Sequence, residues 1–215
     1  MLRRPGWLLT LLAVILIAGP LTPLGASSAR ETSLARDSQA ESASIVEHQL
    51  DFFSFTYETI EGSTFNLRDY VQGKRLVIVE YLAGWCPNSN RNGHIIQRLW
   101  TKYRERGLGV VGVAEYSSVD ELKIHIGRIG IDYPIAIETR ARDQRKGSLH
   151  YKYRRAAGDN RKWGTPFYVI IEARDVAPAT AGGPLARRVY TVSGEIVEDE
   201  AEEFIKRSLA KSESK

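Results

Sequence analysis

Residues 76–89 read LVIVEYLAGWCPNS, and the order of residue types in them decides the fold. The stretch opens as an apolar run rich in β-branched side chains, the composition of a strand covered on both faces. Beyond it, Ile95, Ile96, Leu99, Trp100 and Tyr103 recur at spacings of three and four, which predicts an amphipathic helix. Cys86 falls at the junction. Amide groups at a helix N-terminus are unpaired and the helix dipole is positive there, an arrangement that favours thiolate, the reactive form of cysteine. Pro87 suits a first helical turn, where its missing donor costs nothing, and Trp85 is placed to shield one side of the sulfur. The competing reading is a structural cysteine packed as a small apolar residue. Cys86 is the only cysteine in the 215-residue chain, so no intramolecular disulfide can form.

Outward from this junction the pattern alternates. Toward the N-terminus, LDFFSFTYETIEGSTFNL alternates through Phe53, Phe55 and Tyr57 and turns at Glu61-Gly62, which predicts a strand pair. Toward the C-terminus, LGVVGVAEY reads as a second buried strand. SVDELKIHIGRIG reads as a short helix, with Ser118 and Glu121 spaced as a capping box. YPIAI is a brief strand and TPFYVIIEA a strong one, ARRVYTVSGEIV reads as a hairpin arm, and EDEAEEFIKRSLAKS as a closing helix. The order β-β-α-β-α-β, then β-β-α, implies an α/β domain: a mixed sheet with helices on both faces and an N-terminal β-hairpin.

The N-terminal residues have a different texture. MLRR is a basic segment, residues 7–18 are an apolar run, and small residues follow in GASSA, the layout of a secretory signal peptide over residues 1–29 with Ser27 and Ala29 at the cleavage positions. An uncleaved anchor is the alternative. Residues 30–48 read as a polar linker, and the folded domain is expected to span 49–215. The formal net charge is +4; losing Arg3 and Arg4 with the first 29 residues leaves +2, so overall charge does not argue for nucleic-acid binding. Four scattered histidines (His48, His94, His125 and His150) show no ligand spacing, and neither a metal nor another cofactor is implied.

Three segments together carry a family resemblance. Residues 50–208 resemble the thioredoxin-like superfamily, and look most like the TlpA/redoxin branch of exported thiol–disulfide oxidoreductases. EGSTFNLRDYVQGK loosely matches a motif of that branch, LVIVEYLAGWCPNS carries its strand-then-WC pattern, and WGTPFYVI is similar to its cis-proline segment. The resemblance implies a thioredoxin-like fold with Pro166 packed beside Cys86, and a Thr165 backbone that pairs with an incoming peptide. It also implies that Glu80, six residues before Cys86, helps to move protons. Val79 and Tyr81 point to the opposite face from Glu80. With both faces covered Glu80 is buried, its carboxyl pushed up by desolvation; the alternative is an outward-facing carboxylate.

The departures matter as much. Ser89 stands where the family's resolving cysteine would be. Gly93-His94 replaces a helix-kinking proline, which predicts a weakened helix and an exposed histidine. Residues 139–163 look like a basic insertion, with Tyr151, Tyr153 and Trp163 among the bases. It reads either as a solvated loop face or as a surface for an acidic partner or anion.

The leading functional reading is thiol–disulfide exchange by a monothiol enzyme. Cys86 is the nucleophile, Ser89 and Glu80 assist it, and Trp85, Pro87, Thr165 and Pro166 meet the substrate, a disulfide- or thiol-containing protein or a small thiol. The alternative is a redox-inactive thioredoxin-like binding module. A one-cysteine peroxidase fits less well, because Ala83 occupies the position where related peroxidatic sites carry Thr or Ser. Export places the protein in the periplasm or outside the cell, with membrane contact only through an uncleaved N-terminus.

Overall fold

The computed structural model describes residues 41–211. The signal-peptide reading of residues 1–29 and the first part of the expected linker lie outside them. The chain forms β1 (Ser42–Ala43), β2 (Val46–Phe52), β3 (Thr56–Thr59), β4 (Thr64–Asn66), α1 (Leu67–Tyr70), β5 (Leu76–Leu82) and α2 (Pro87–Tyr103). There follow β6 (Leu108–Ala114), α3 (Val119–Ile129), β7 (Ile135–Ile137), α4 (Leu149–Ala156), β8 (Phe167–Glu172), β9 (Ala186–Val192), β10 (Glu195–Ile196) and α5 (Glu198–Lys211).

Eight strands make one mixed sheet in the order β2-β9-β8-β5-β6-β7-β3-β4, in which β5, β6 and β7 run parallel and the others antiparallel to their neighbours. Every residue of β5, β6 and β8 is buried, because helices cover both faces. On one face Leu76, Ile78 and Leu82 pack with Ile96, Leu99 and Tyr103 of α2 and with Ala201, Ile205 and Leu209 of α5. On the other, Val77, Val79 and Tyr81 pack with Leu67 and Val71 at α1 and Tyr153 of α4. The period-two alternation along β5 thus feeds two cores.

Four details differ from the sequence reading. The alternation through Phe53, Phe55 and Tyr57 is not one strand. β2 ends at Phe52 on one edge of the sheet, and β3 starts at Thr56 near the other. The crossing is held by local bonds: Phe53 N–H donates to the Tyr153 hydroxyl at 2.9 Å and Arg68 N–H to Ser54 Oγ at 2.9 Å. The hairpin is β3–β4, closed through Gly62 at φ +82°. The folded region begins before residue 49, because Val46 to Gln49 already pair with β9. β10 does not fold back on β9; it runs parallel to β1 in a separate two-stranded sheet. Finally, the basic tract is not a plain loop. It contains a 3₁₀ segment, Arg142–Gly147, and α4, which buries His150, Tyr153 and Arg154. Tyr153 is therefore a core side chain rather than part of a solvated face.

Candidate active site

β5 delivers the chain to Cys86, the N-cap of α2, with Pro87 in the first helical position. The turn is tied by Cys86 N–H to the Ala83 carbonyl at 2.9 Å and by Asn90 Nδ2 to the Cys86 carbonyl at 3.0 Å. Cys86 is only 7% exposed, and its thiol donates to the Thr165 carbonyl at 3.4 Å. The Thr165–Pro166 peptide bond is cis. Cys86 therefore meets the Thr165–Pro166 peptide, which lies 79 residues on in the chain. Thr165 is itself buried, and its Oγ1 has no hydrogen-bond partner among the described residues.

The other expected residues divide. Trp85 is half-buried, its Nε1 donating to the Tyr116 carbonyl at 2.9 Å. Pro87 is exposed. Ser89 is fully buried and turned to the backbone, its Oγ accepting from Ala83 N–H at 3.3 Å. His94 is exposed on α2. Gly93 does not break the helix; it lets α3 approach, since a β-carbon there would lie 2.5 Å from Ile129 Cδ1.

Glu80 is fully buried on the α2 face of the sheet. Burial pushes its carboxyl up to about 7, against the pull of two hydroxyls. Tyr133 donates to Oε2 at 2.8 Å and Tyr168, its cross-strand neighbour, to Oε1 at 3.2 Å. The Tyr168 hydroxyl also reaches Asn92 Oδ1 on α2, which accepts Ile196 N–H at 2.8 Å. Tyr168 has one proton for two acceptors. A protonated Glu80 satisfies the set, because it donates to Tyr168 and frees that hydroxyl for Asn92. Among the described residues no hydrogen bond runs from this set to Cys86.

Sequence reasoning missed the groups behind the cis peptide. His150 is fully buried, and burial together with the Arg154 charge pushes it down to about 3. It is therefore neutral, and its tautomer follows from its partners. The Gly164 carbonyl, 3.0 Å from Nε2, can only accept, so Nε2 carries the hydrogen and Nδ1 accepts from the Tyr116 hydroxyl at 2.8 Å. The ring stacks on Tyr81 at 5.0 Å. Trp163 meets Trp85 edge-on at 5.3 Å. No spacing rule separates these residues from the bases around them.

Beside this geometry stand the comparisons with known proteins. A model of the AhpC/TSA family matches residues 49–162, more than half of the chain. The chain belongs to the AhpC/TSA family. As an AhpC/TSA-family chain of the TlpA/redoxin type it is 26% identical over 85 residues to the thiol-disulfide oxidoreductase ResA of Halalkalibacterium halodurans. That alignment covers 40% of this chain and 47% of the relative, so the chain spans about half the length of the curated relative it matches. A thiol:disulfide interchange protein of the thioredoxin family from Chlorobium tepidum superposes with a TM-score of 0.53 at 21% identity, over 75% of this chain and 97% of that one. A secreted Mycobacterium tuberculosis disulfide oxidoreductase, homologous to Escherichia coli DsbE, gives 0.51 at 17%, over 71% and 95%. These likenesses establish the thioredoxin-like fold of this family member. Among the described residues no group of three or more His, Cys, Asp or Glu could hold a metal ion, and no helix is long and apolar enough to cross a membrane.

Proposed function

We propose that this protein is an exported monothiol exchange protein that works through Cys86. The observation that carries the reading is the seating of the Cys86 sulfur at the start of α2, against the carbonyl that precedes Pro166. Cys86 loses its proton, and the thiolate attacks one sulfur of a partner disulfide. The Cys86–partner bond forms as the partner's own S–S bond breaks, and the departing thiolate takes up a proton. Thiols and disulfides balance, and no outside oxidant is consumed. Ser89 has no sulfur with which to expel the partner. Release therefore needs a second thiol that attacks the mixed disulfide and restores Cys86.

In this reading Trp85 and Pro87 border the sulfur and Thr165 offers backbone to the partner. Glu80 exchanges protons with the site only through groups that arrive with the partner, because its own bonds lead to Tyr133, Tyr168 and Asn92. Residues 1–29 serve as the export signal or as an uncleaved anchor, and the basic, apolar and small-residue layout together with the secreted structural neighbour support that assignment.

The burial of the sulfur favours a second reading, a redox-inactive binding module. A cysteine that is 7% exposed, with its thiol donating to a carbonyl, is packed as a structural cysteine would be. One experiment separates the two: alkylation of Cys86 across a pH series, with trapping of Cys86-linked partners under non-reducing conditions. Rapid labelling near neutral pH with recovered mixed disulfides supports exchange. Sluggish labelling and no adducts reject it.

A further inference from the structure

The exchange chemistry leaves the basic tract unused, and the way it folds sorts its cations. Residues 139–163 hold nine Lys and Arg against Asp143 and Asp159. Some are neutralised within the fold. Arg161 pairs with Asp159 at 2.7 Å and Glu41 at 2.8 Å, and Arg140 pairs with Glu58 at 2.7 Å. Arg154 is buried against Asp159 and backbone carbonyls.

Three others sit on tryptophan faces. Arg142 lies 4.7 Å from the Trp85 ring centre, and Arg145 and Lys162 lie 5.2 and 5.4 Å from that of Trp163. The nearest carboxylate oxygen to Arg142 is that of Glu121, at 3.6 Å. Arg145 and Lys162 have no carboxylate partner among the described residues. The two indoles touch each other. One adjoins Cys86 in sequence, and the other lies two residues before Thr165, whose carbonyl receives the Cys86 thiol.

We propose that this cation-capped tryptophan pair is the docking surface for the partner of Cys86, and that the partner is a peptide segment with Asp or Glu beside its reacting cysteine. The proposal rests on the exchange reading for its chemistry and on charge complementarity for its specificity. Cations held on an aromatic face keep their charge and are partly ordered before a partner arrives. The field reaches about 8 Å at physiological salt. An extended chain advances roughly 3.4 Å per residue, so the carboxylates that matter lie within about two positions of the cysteine.

Two synthetic peptides test it. Each carries one cysteine as a mixed disulfide with a coloured aryl thiol, flanked by Glu in one peptide and by Lys in the other. Cys86 attacks the peptide sulfur, the peptide–Cys86 bond forms, and the aryl thiolate leaves and reports the event. The Glu peptide is expected to react at least ~10-fold faster at low salt, the lower end of electrostatic steering. The gap closes at high salt and in an Arg145→Gln/Lys162→Gln double variant, and it persists in Arg145→Lys. Equal rates for the two peptides in the natural protein overturn the proposal. A second arm needs no thiol: binding of the fluorescent Glu peptide, with a free serine in place of its cysteine, to a Cys86→Ser variant. Binding that the double variant abolishes upholds the surface, and binding it leaves unchanged overturns it. If neither disulfide labels Cys86, the exchange reading fails and the second arm decides the surface alone.

Discussion

Ionised, Glu80 leaves the Tyr168 hydroxyl with two acceptors and one proton. Its pKa of about 7, against a reference value of 4.5, means that between those values the folded chain holds a proton the unfolded chain has released. Stability from this residue is complete at low pH and falls as pH rises through that window. A Glu80→Gln variant should gain on the natural protein by roughly 3 kcal/mol across it, with no further pH-dependent gain below 4.5, measured by urea unfolding. If the natural protein holds its stability relative to the variant across the window, Glu80 is not the buried acid described here. Ser89→Cys belongs to the same scale. Losing the hydroxyl that accepts Ala83 N–H should cost the reduced protein about 1 kcal/mol. On oxidation the variant should lose both free thiols to an internal disulfide; a thiol count that stays at two rejects that geometry. The burial of Glu80 was legible because the side chains flanking it on β5 are apolar and both sheet faces are covered. His150 was not. It sits among Lys152, Arg154 and Arg155, and nothing in that run says which member turns inward.

At the level of elements, the approach of α3 to the Cys86 turn depends on a side chain that is absent. A β-carbon on Gly84 would lie 2.7 Å from the Glu121 carbonyl oxygen, which is backbone and cannot step aside. On Gly93 it would meet the tip of Ile129, which can rotate. Gly84→Ala should therefore cost about 1–3 kcal/mol by overpacking. Gly93→Ala should come out closer to neutral, since alanine recovers about 1 kcal/mol of helix propensity. Thermal unfolding of the two variants checks the order, and equal losses would mean that α3 does not seat on the Cys86 turn as described. The central strands and α2, α3 and α5 were readable because burial on both faces or on one stripe leaves an unbroken apolar period. α4 was hidden because its buried positions include Arg154 and His150, which imitate a solvated face. The break between β2 and β3 was hidden because Phe53 continues the alternation while standing 39% exposed.

For the whole molecule, acid and base terms oppose each other. His150 at about 3 and His125 at about 4 stay neutral while folded, so below the reference value of 6.5 the unfolded chain takes protons that the folded chain refuses. Their contribution falls as pH falls, whereas that of Glu80 rises over much of the same range. Below 4.5 the histidine loss continues, and it is joined by that of Glu202, whose carboxyl is held down to about 2 by hydrogen bonds from Lys102, Tyr103 and Lys206. His150→Phe keeps the ring stacking but leaves the Gly164 carbonyl and the Tyr116 hydroxyl without their partner. It should cost about 1–3 kcal/mol near neutrality and show a shallower acid limb than the natural protein. Parallel acid limbs in urea titrations would exclude His150 as the group that drives it. The cations on Trp85 and Trp163 have one more consequence, which concerns valence. A chain with a single sulfhydryl can hold one covalent neighbour and can never extend a disulfide-linked series. Its wasteful neighbour is a second copy of itself. Two copies brought sulfur to sulfur would press Arg145 and Lys162 of each against those of the other, like charge on like charge. On the docking proposal, the same rim that draws in carboxylates would guard against self-capture and keep the chain's one bond open for something else.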